Sequence, residues 1–258
     1  MRKVMLLAVV LSIVVPLGPV IDAAQSQPPR STESIKEEVV VATRILFDSG
    51  FLDTAGHVSV RLDANRFLMP WRRAPELVVA DDLMEYDLDG RVADARGRAL
   101  VMERFIHAEI YRARPDVTAV VHGHTPSLLL FSSSNIPLRP LFAGAGFIGQ
   151  QVPAFKNGDA GGGVNNAELG RGLAQALGKS NAVLMRGHGV VVVAPSAVAL
   201  IQRAINLDTN AQLVAQLLAM GDKEPMYIKP NPEAGGGGGD NAREWEAYKR
   251  RAEILMKR

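Results

Sequence analysis

The sequence of 258 residues contains no cysteine. This absence excludes disulfide bonds, a thiolate metal site and a cysteine nucleophile, so any transition-metal site must use the five histidines. An excess of charge is also absent, since 29 lysines and arginines face 27 aspartates and glutamates and leave a formal charge of +2. No basic stripe alternates with aromatic residues, so nucleic-acid binding has no support. No internal repeat is present, and the length suits one α/β domain.

The N-terminus has the pattern of a secretory signal peptide. Arg2 and Lys3 form a basic segment, residues 4–15 are apolar, and an alanine pair at residues 23–24 offers a cleavage site. The apolar segment is short for a membrane span and is followed by prolines, although an uncleaved anchor is the alternative. We therefore expect a signal peptide at residues 1–24, export to a bacterial periplasm, and no membrane attachment after cleavage.

Hydrophobic periodicity divides the rest of the chain into short strands and helices. The predicted strands lie at residues 56–61, 66–69, 83–90, 117–121, 152–155, 181–185 and 190–193. The predicted helices lie at residues 34–48, 101–114, 126–131, 167–177, 195–220 and 241–258. This alternation predicts an α/β domain in which helices surround a central sheet.

The predicted boundaries follow from breaks in this pattern. Ser34 and Glu37 match a capping box, so the first helix is expected to begin there, after a proline-containing linker at residues 25–33. The main domain is then expected at residues 34–230. Residues 231–258 are predicted to form a glycine-rich linker and a C-terminal helical arm.

Three histidines follow apolar runs that are typical of buried strands. His122 and His124 come after residues 117–121, and alternate residues of a strand project to the same side. His188 stands between glycines after a second such run at residues 181–185. Three histidines with an open coordination position are the donor set of a catalytic zinc site. The alternative is that they are surface or turn residues with no ligand role.

Three further residues are candidates for the same site. Glu103 begins a helical segment and is a candidate proton shuttle or fourth ligand, although a helix N-terminus also favours a carboxylate that only caps it. His107 lies four residues further on the same helical face, where it is expected to contact Glu103 rather than bind metal. His57 lies in a separate predicted strand and is a candidate substrate-binding residue.

Together these residues resemble the class II aldolase/adducin family, which includes fuculose-phosphate aldolase and ribulose-phosphate 4-epimerase. The resemblance covers roughly residues 34–220. It rests on four segments: Glu103-Arg-Phe-Ile-His107, Tyr111-Arg-Ala-Arg-Pro-Asp116, Ala119-Val-Val-His-Gly-His124 and Arg186-Gly-His-Gly189. The resemblance implies a three-layer α/β/α sandwich around a mainly antiparallel central sheet.

The same resemblance implies a divalent-metal site and an oligomer. His122, His124 and His188 would bind Zn²⁺, with Mn²⁺ and Fe²⁺ as alternatives, and Glu103 would be the catalytic residue for proton transfer. Members of the family are typically homotetramers whose sites lie at subunit interfaces. A neighbour's C-terminal segment contributes there, which makes Tyr248 a candidate substrate-binding residue.

Two departures from the sugar-phosphate aldolases bear on the substrate. Those enzymes have Gly-Asn where this chain has Gly-His57, and two small hydroxyl residues where it has Val101 and Met102. An apolar pair cannot donate hydrogen bonds to a phosphate. We therefore expect a small, non-phosphorylated hydroxy, keto or dihydroxyaromatic acid, as in the decarboxylating branches of the family. Arg61 or Arg139 would hold its carboxylate, unless each forms a structural ion pair.

The sequence thus predicts a divalent-metal-dependent lyase that cleaves a carbon–carbon bond. Retro-aldol cleavage and decarboxylation would both pass through a metal-stabilised enediolate, so the site residues do not decide between them. A non-heme iron oxygenase on the same fold is an alternative. A sugar-phosphate aldolase or epimerase and a non-enzymatic adducin-like binding protein are further alternatives, and the intact histidine set argues against the last.

Overall fold

The computed structural model describes residues 30–157, 162–231 and 241–257. The predicted signal peptide, most of the linker that follows it, and the glycine run at residues 235–239 lie outside the described residues. Within the described part of the chain, no helix combines the length and the apolar character that a membrane span requires.

A seven-stranded sheet forms the middle of the fold, in the order β3-β2-β1-β4-β7-β6-β5. All neighbouring strands are antiparallel except β5 and β6, which are parallel. The prediction of a mainly antiparallel sheet is therefore confirmed. The strands are β1 (His57–Arg61), β2 (Arg66–Pro70), β3 (Leu83–Asp87), β4 (Ala119–Gly123), β5 (Ala154–Phe155), β6 (Ala182–Met185) and β7 (Gly189–Ala194).

Helices cover both faces of this sheet. The helices are α1 (Thr32–Asp48), α2 (Arg104–Ala113), α3 (Pro126–Ser132), α4 (Ala167–Leu177), α5 (Ala197–Ala219) and α6 (Ala242–Leu255). Two separate hydrophobic cores result, one beneath α1, α3, α5 and α6 and the other beneath α2 and α4. The predicted three-layer α/β/α sandwich is therefore confirmed.

The alternation of side chains along the central strands sets their register. In β4, Val121 enters the core of α1 and α5, whereas Val120 enters the core of α2 and α4. Burying one valine side chain contributes roughly 1.5–3 kcal/mol. A shift of one residue would exchange the two cores and move His122 to the opposite face, so the apolar strand residues also fix the orientation of this histidine.

The first helix begins earlier than predicted. Its N-cap is Ser31, whose hydroxyl accepts a hydrogen bond from the Ser34 main-chain N–H at 3.1 Å. The capping box assigned to Ser34 and Glu37 is therefore wrong as the helix start. The helix instead begins at Thr32, inside the predicted linker, because Ser31 already satisfies the first free N–H groups.

The site-bearing ends of three strands meet in the centre of the sheet. His57 of β1 lies opposite His122 of β4, and His122 lies opposite Val191 of β7. The turn between β6 and β7 carries His188 at the same end, since Met185 pairs with Gly189. His57, His122 and His188, which are far apart in sequence, are thereby brought to the same end of the central strands.

Candidate metal centre

His122 is fully buried at the end of β4, and its hydrogen bond fixes its protonation state. Its Nδ1 lies 3.0 Å from the carbonyl oxygen of Val190 in the adjacent strand. A carbonyl oxygen can only accept, so Nδ1 carries the proton and Nε2 keeps its lone pair. Burial lowers the pKa of His122, which favours the neutral ring that a metal requires.

His124 is held in the same tautomer by a carboxylate. Its Nδ1 lies 3.1 Å from Oδ1 of Asp53, an arrangement that commonly orients metal-binding histidines. Burial alone would raise the pKa of Asp53, but the Ala55 N–H and the His124 ring hold that pKa below its usual value. Burial also lowers the pKa of His124 itself. The Nε2 lone pair of His124 is therefore free to bind a cation.

The two Nε2 atoms of His122 and His124 lie 2.9 Å apart. With both Nδ1 atoms protonated, two lone pairs face each other at this distance, and only a cation or a shared proton between them removes the repulsion. Their rings are nearly perpendicular, at 88°. This pair of opposed lone pairs is the clearest indication that the residues are built to hold a cation.

Glu103 closes the site from the start of α2. It occupies the N-cap position, but its side chain makes no capping hydrogen bond, so the capping alternative does not describe its contacts. Its Oε2 lies 3.3 Å from Nε2 of His122, and its Oε1 lies 3.3 Å from Nε2 of His188. The Val164 N–H donates a hydrogen bond to Oε1 at 2.9 Å.

The carboxyl of Glu103 is ionised. Burial would raise its pKa, but the contacts of its oxygens with the rings of His122, His188 and His57 outweigh burial and hold the pKa far below its usual range. The site therefore places one negative charge beside the histidine rings.

His188 reaches the site from the tight turn between β6 and β7. Gly187 in this turn has a φ of +63°, a conformation that favours glycine. The His188 ring is parallel to that of His122, with ring centroids 5.2 Å apart and an interplanar angle of 4°. It stands nearly perpendicular to the His124 ring, at 84°.

The four donors fit a single divalent ion. One ligand atom from each of Glu103, His122, His124 and His188 lies within 4.8 Å of the others. Zinc–ligand bonds of about 2.0–2.1 Å place tetrahedral donors about 3.4 Å apart, close to the separations of 2.9 and 3.3 Å found between neighbouring donors. These residues can therefore hold a divalent cation with little rearrangement.

Two glycines allow this close packing. A Cβ on Gly123 would lie 2.5 Å from the Phe51 carbonyl oxygen. A Cβ on Gly189 would lie 2.5 Å from the Gly123 carbonyl oxygen and 2.7 Å from Cδ2 of His124. Both positions therefore exclude a side chain, which explains the glycines that flank the histidines in the sequence.

A chain of buried polar groups lies behind the centre. His57 Nδ1 is 2.7 Å from His107 Nε2, and His107 Nδ1 is 2.6 Å from Ser59 Oγ. Ser59 Oγ is 2.8 Å from the Tyr111 hydroxyl, which donates to the Thr118 carbonyl oxygen at 3.3 Å. Burial lowers the pKa of His107 well below its usual value, so His107 is neutral.

This chain places His57 against the metal centre. Its Nε2 is 3.9 Å from Oε2 of Glu103. His107, which was expected to contact Glu103, instead anchors His57. The spacing carried a signal for this chain, because His57 and Ser59 share one face of a strand, whereas His107 and Tyr111 share one face of a helix.

A cavity of ≈ 560 Å³ opens onto the centre. His57, Glu103 and His188 form part of its lining, together with Val101 and Met102. Sequence reasoning missed another part of the wall, which is formed by Trp71, Arg72 and Arg73 directly after β2. The available signal was an aromatic residue and two cations immediately after a predicted strand.

The three other predicted substrate residues lie away from this cavity. Arg61 ends β1 at the opposite end from His57, and its guanidinium donates to the carbonyl oxygens of Val117, Tyr111 and Arg114. Arg139 stacks on the Tyr227 ring at 4.4 Å. Tyr248 of α6 packs against the core beneath α1 and α5. The described chain therefore does not bring these residues to the centre.

Comparisons with known proteins identify a family that covers most of this chain. The Class II Aldolase and Adducin N-terminal domain matches residues 37–215. A 3,4-dihydroxyphthalate decarboxylase of Arthrobacter keyseri is 30% identical over 211 residues, which span 76% of this chain and 84% of that protein. The decarboxylase tropJ of Talaromyces stipitatus is 34% identical over 188 residues, spanning 66% of this chain and 71% of that protein.

Solved structures show the same fold. An aldolase II superfamily protein from Pseudomonas syringae superposes with a TM-score of 0.71 at 22% identity, covering 89% of this chain and 95% of that one. L-fuculose 1-phosphate aldolase from Glaciozyma antarctica superposes with a TM-score of 0.68 at 24% identity, covering 90% and 95%. The chain therefore belongs to the class II aldolase and adducin family.

Proposed function

We propose that this chain is a divalent-metal-dependent decarboxylase of a small dihydroxyaromatic acid. It is an enzyme of the carbon–carbon lyase type, as its decarboxylase and aldolase relatives indicate. One observation carries the choice of substrate: Val101 and Met102, directly before Glu103, line the cavity and offer no side-chain donor to a phosphate. The 3,4-dihydroxyphthalate decarboxylases among its relatives support an aromatic substrate with adjacent hydroxyl groups.

The residues around the cavity would have different roles in such a reaction. A divalent ion held by His122, His124 and His188 would supply Lewis-acid stabilisation of the negative charge that develops on substrate oxygens. Departure of carbon dioxide leaves an electron pair on a ring carbon, and that carbon must receive a proton. Glu103 and His57 face the cavity, with 3.9 Å between Oε2 and Nε2, and are the residues that would pass this proton to the carbon.

The surroundings of these residues favour the reaction. The nearly buried, apolar side chain of Val101 would exclude water from its side of the cavity, which would strengthen electrostatic interactions there. The hydrogen bonds of His122 to Val190 and of His124 to Asp53 fix both rings before substrate arrives. Groups that are oriented in advance need no reorganisation during the reaction.

The proposal is tested by incubating zinc-loaded protein with 3,4-dihydroxyphthalate or L-fuculose 1-phosphate. We expect release of carbon dioxide from the first substrate, and no cleavage of the second. The reaction should proceed equally with and without oxygen, because decarboxylation consumes none. Cleavage of the sugar phosphate alone, or turnover only in oxygen, would overturn the proposal in favour of an aldolase or an oxygenase.

A matched variant tests the metal separately. His122→Ala should lose both the bound metal and the activity, whereas the surface variant Arg91→Gln should keep both. Metal content is measured by elemental analysis after gel filtration. Full activity in metal-free His122→Ala protein would refute the metal-dependent mechanism. Export to the periplasm and a homotetramer with a contribution from Tyr248 remain predictions.

A further inference from the structure

The cavity wall that follows β2 is built to a fixed shape. The Trp71 indole N–H donates a hydrogen bond to Oδ1 of Asp82 at 2.8 Å, and its main-chain N–H donates to the Asp82 carbonyl oxygen at 3.1 Å. Arg73 also pairs with Asp82, with 3.4 Å between Nε and Oδ2. Trp71 and Arg73 therefore both bind the nearly buried carboxylate of Asp82.

Arg72 lies between these two residues and differs from both. Its main-chain N–H donates to the Ala99 carbonyl oxygen at 2.8 Å, which fixes its backbone in the cavity wall. Its side chain is exposed, and among the described residues its guanidinium has neither an ion pair nor a hydrogen bond. Nearby Arg96 and Arg98, by contrast, both pair with Asp81. Within the described chain, Arg72 is thus the arginine of this wall whose guanidinium has no partner.

The charge balance of the cavity indicates what Arg72 would bind. A divalent ion held by three histidines beside one carboxylate, that of Glu103, would leave one net positive charge at the centre. Arg72 adds a second positive charge, while the charge of Arg73 is offset by Asp82. The cavity therefore suits a dianion that carries one negative group at the metal centre and another at Arg72.

We propose that Arg72 binds a second carboxylate of the substrate, the one that the reaction retains. This inference rests on the proposed function and names the substrate class as a dihydroxybenzene dicarboxylate. The bond between the ring carbon and the carboxylate at the metal centre breaks, carbon dioxide leaves, and a proton takes its place on that carbon. The carboxylate at Arg72 is unchanged, held by the two parallel hydrogen bonds that a guanidinium offers.

Two substrates that differ only in the retained carboxylate test this assignment. 3,4-Dihydroxyphthalate carries both carboxylates, whereas 2,3-dihydroxybenzoate keeps the one beside the hydroxyl pair and lacks the other. For the dicarboxylate, Arg72→Gln should raise KM roughly 10- to 100-fold with little change in kcat, because a charge-assisted contact made equally in the ground and transition states is lost. For 2,3-dihydroxybenzoate, wild type and Arg72→Gln should have the same kcat/KM.

Two further variants serve as controls. Arg72→Lys keeps the charge but not the paired donors, so it should recover part of the lost affinity. Arg91→Gln removes the same charge from an arginine that pairs with Asp89 at the surface, and it should behave as wild type. An unchanged KM for the dicarboxylate in Arg72→Gln, or an equal loss with both substrates, would overturn the assignment.

Binding measurements separate this assignment from the proposed function. If wild-type protein decarboxylates neither substrate, the proposed function has failed, and titration calorimetry with 3,4-dihydroxybenzoate, the expected product, still tests Arg72. Binding to zinc-loaded wild type that weakens at least 10-fold in Arg72→Gln would support a carboxylate subsite. Equal affinity in the two proteins, or no binding to wild type, would refute it.

Discussion

Gly163 lies directly against the carboxylate of Glu103, and a single methyl group there should displace that carboxylate. A Cβ built on Gly163 would be 2.8 Å from Oε1 of Glu103 and 3.2 Å from its Cδ. The neighbouring Gly162 offers a matched control, because a Cβ there would meet only Nδ2 of Asn157, at 3.6 Å. Neither glycine has a positive φ, so alanine fits the backbone at both positions.

The size of the effect follows from these distances. Non-bonded atoms prefer separations of about 3.5 Å, so Oε1 must retreat by about 0.7 Å. A retreat of that size stretches the 2.9 Å hydrogen bond from the Val164 N–H beyond hydrogen-bonding range. A displacement approaching 1 Å in a reacting group lowers the rate by up to about 100-fold. We therefore expect kcat to fall roughly 10- to 100-fold in Gly163→Ala.

Stability should change much less than activity. The atom that must move is the end of a flexible side chain, whereas the backbone around Gly163 meets no obstacle. The assay compares kcat for 3,4-dihydroxyphthalate with Tm for wild type, Gly162→Ala and Gly163→Ala, each loaded with zinc. Wild-type kcat in Gly163→Ala would show that the position of Glu103 does not limit the reaction. An equal loss in both variants would show that the loop itself, and not the contact with Glu103, is responsible.

Three other perturbations have definite expected outcomes. Gly189→Ala places a Cβ 2.5 Å from the backbone oxygen of Gly123, so elemental analysis should find little bound zinc and denaturation should show a loss of about 1–3 kcal/mol. Burial lowers the pKa of His122 and His124, so at a pH below 6.5, the ordinary pKa of histidine, the unfolded state binds more protons than the folded state. The free energy of unfolding should therefore fall as the pH drops below about 6.5, and urea titrations at several pH values would measure this. Tyr111→Phe removes the hydroxyl that bonds Ser59 and Thr118, which should cost about 1–3 kcal/mol in urea denaturation and lower kcat through the position of His57.

The placement of the candidate metal ligands could be predicted, because the local sequence fixes it. His122 follows an apolar strand whose two-residue period sets the face on which the ring projects, and His188 lies in a turn that its glycines make tight. The strand and helix positions also follow from local periodicity. The start of α1 was misplaced because Ser31 and Ser34 are both capable of capping, and only the folded helix shows which one accepts the hydrogen bond.

The cavity wall formed by Trp71, Arg72 and Arg73 could not be predicted, because its contacts join distant parts of the chain. Arg61 and Arg72 flank β2 in sequence, but the antiparallel hairpin sends them to different ends of the sheet. The Arg61 guanidinium donates hydrogen bonds to main-chain carbonyl oxygens near the end of α2. Arg72 follows the far end of β2 and enters the cavity. Both are arginines beside strands, and only the pairing of β1 with β2 and β4 distinguishes a structural cation from a binding one.

The candidate metal centre and the cavity wall that carries Arg72 are subject to different physical constraints. At the centre, Gly123 and Gly189 allow no additional atom, and the donors of His122 and His124 are fixed by hydrogen bonds across the sheet. The wall that carries Arg72 follows β2 in a loop, and the guanidinium there is bound to nothing in the described chain. We therefore expect a substitution at Arg72 to alter the anion that the cavity accepts without disturbing the candidate metal ligands.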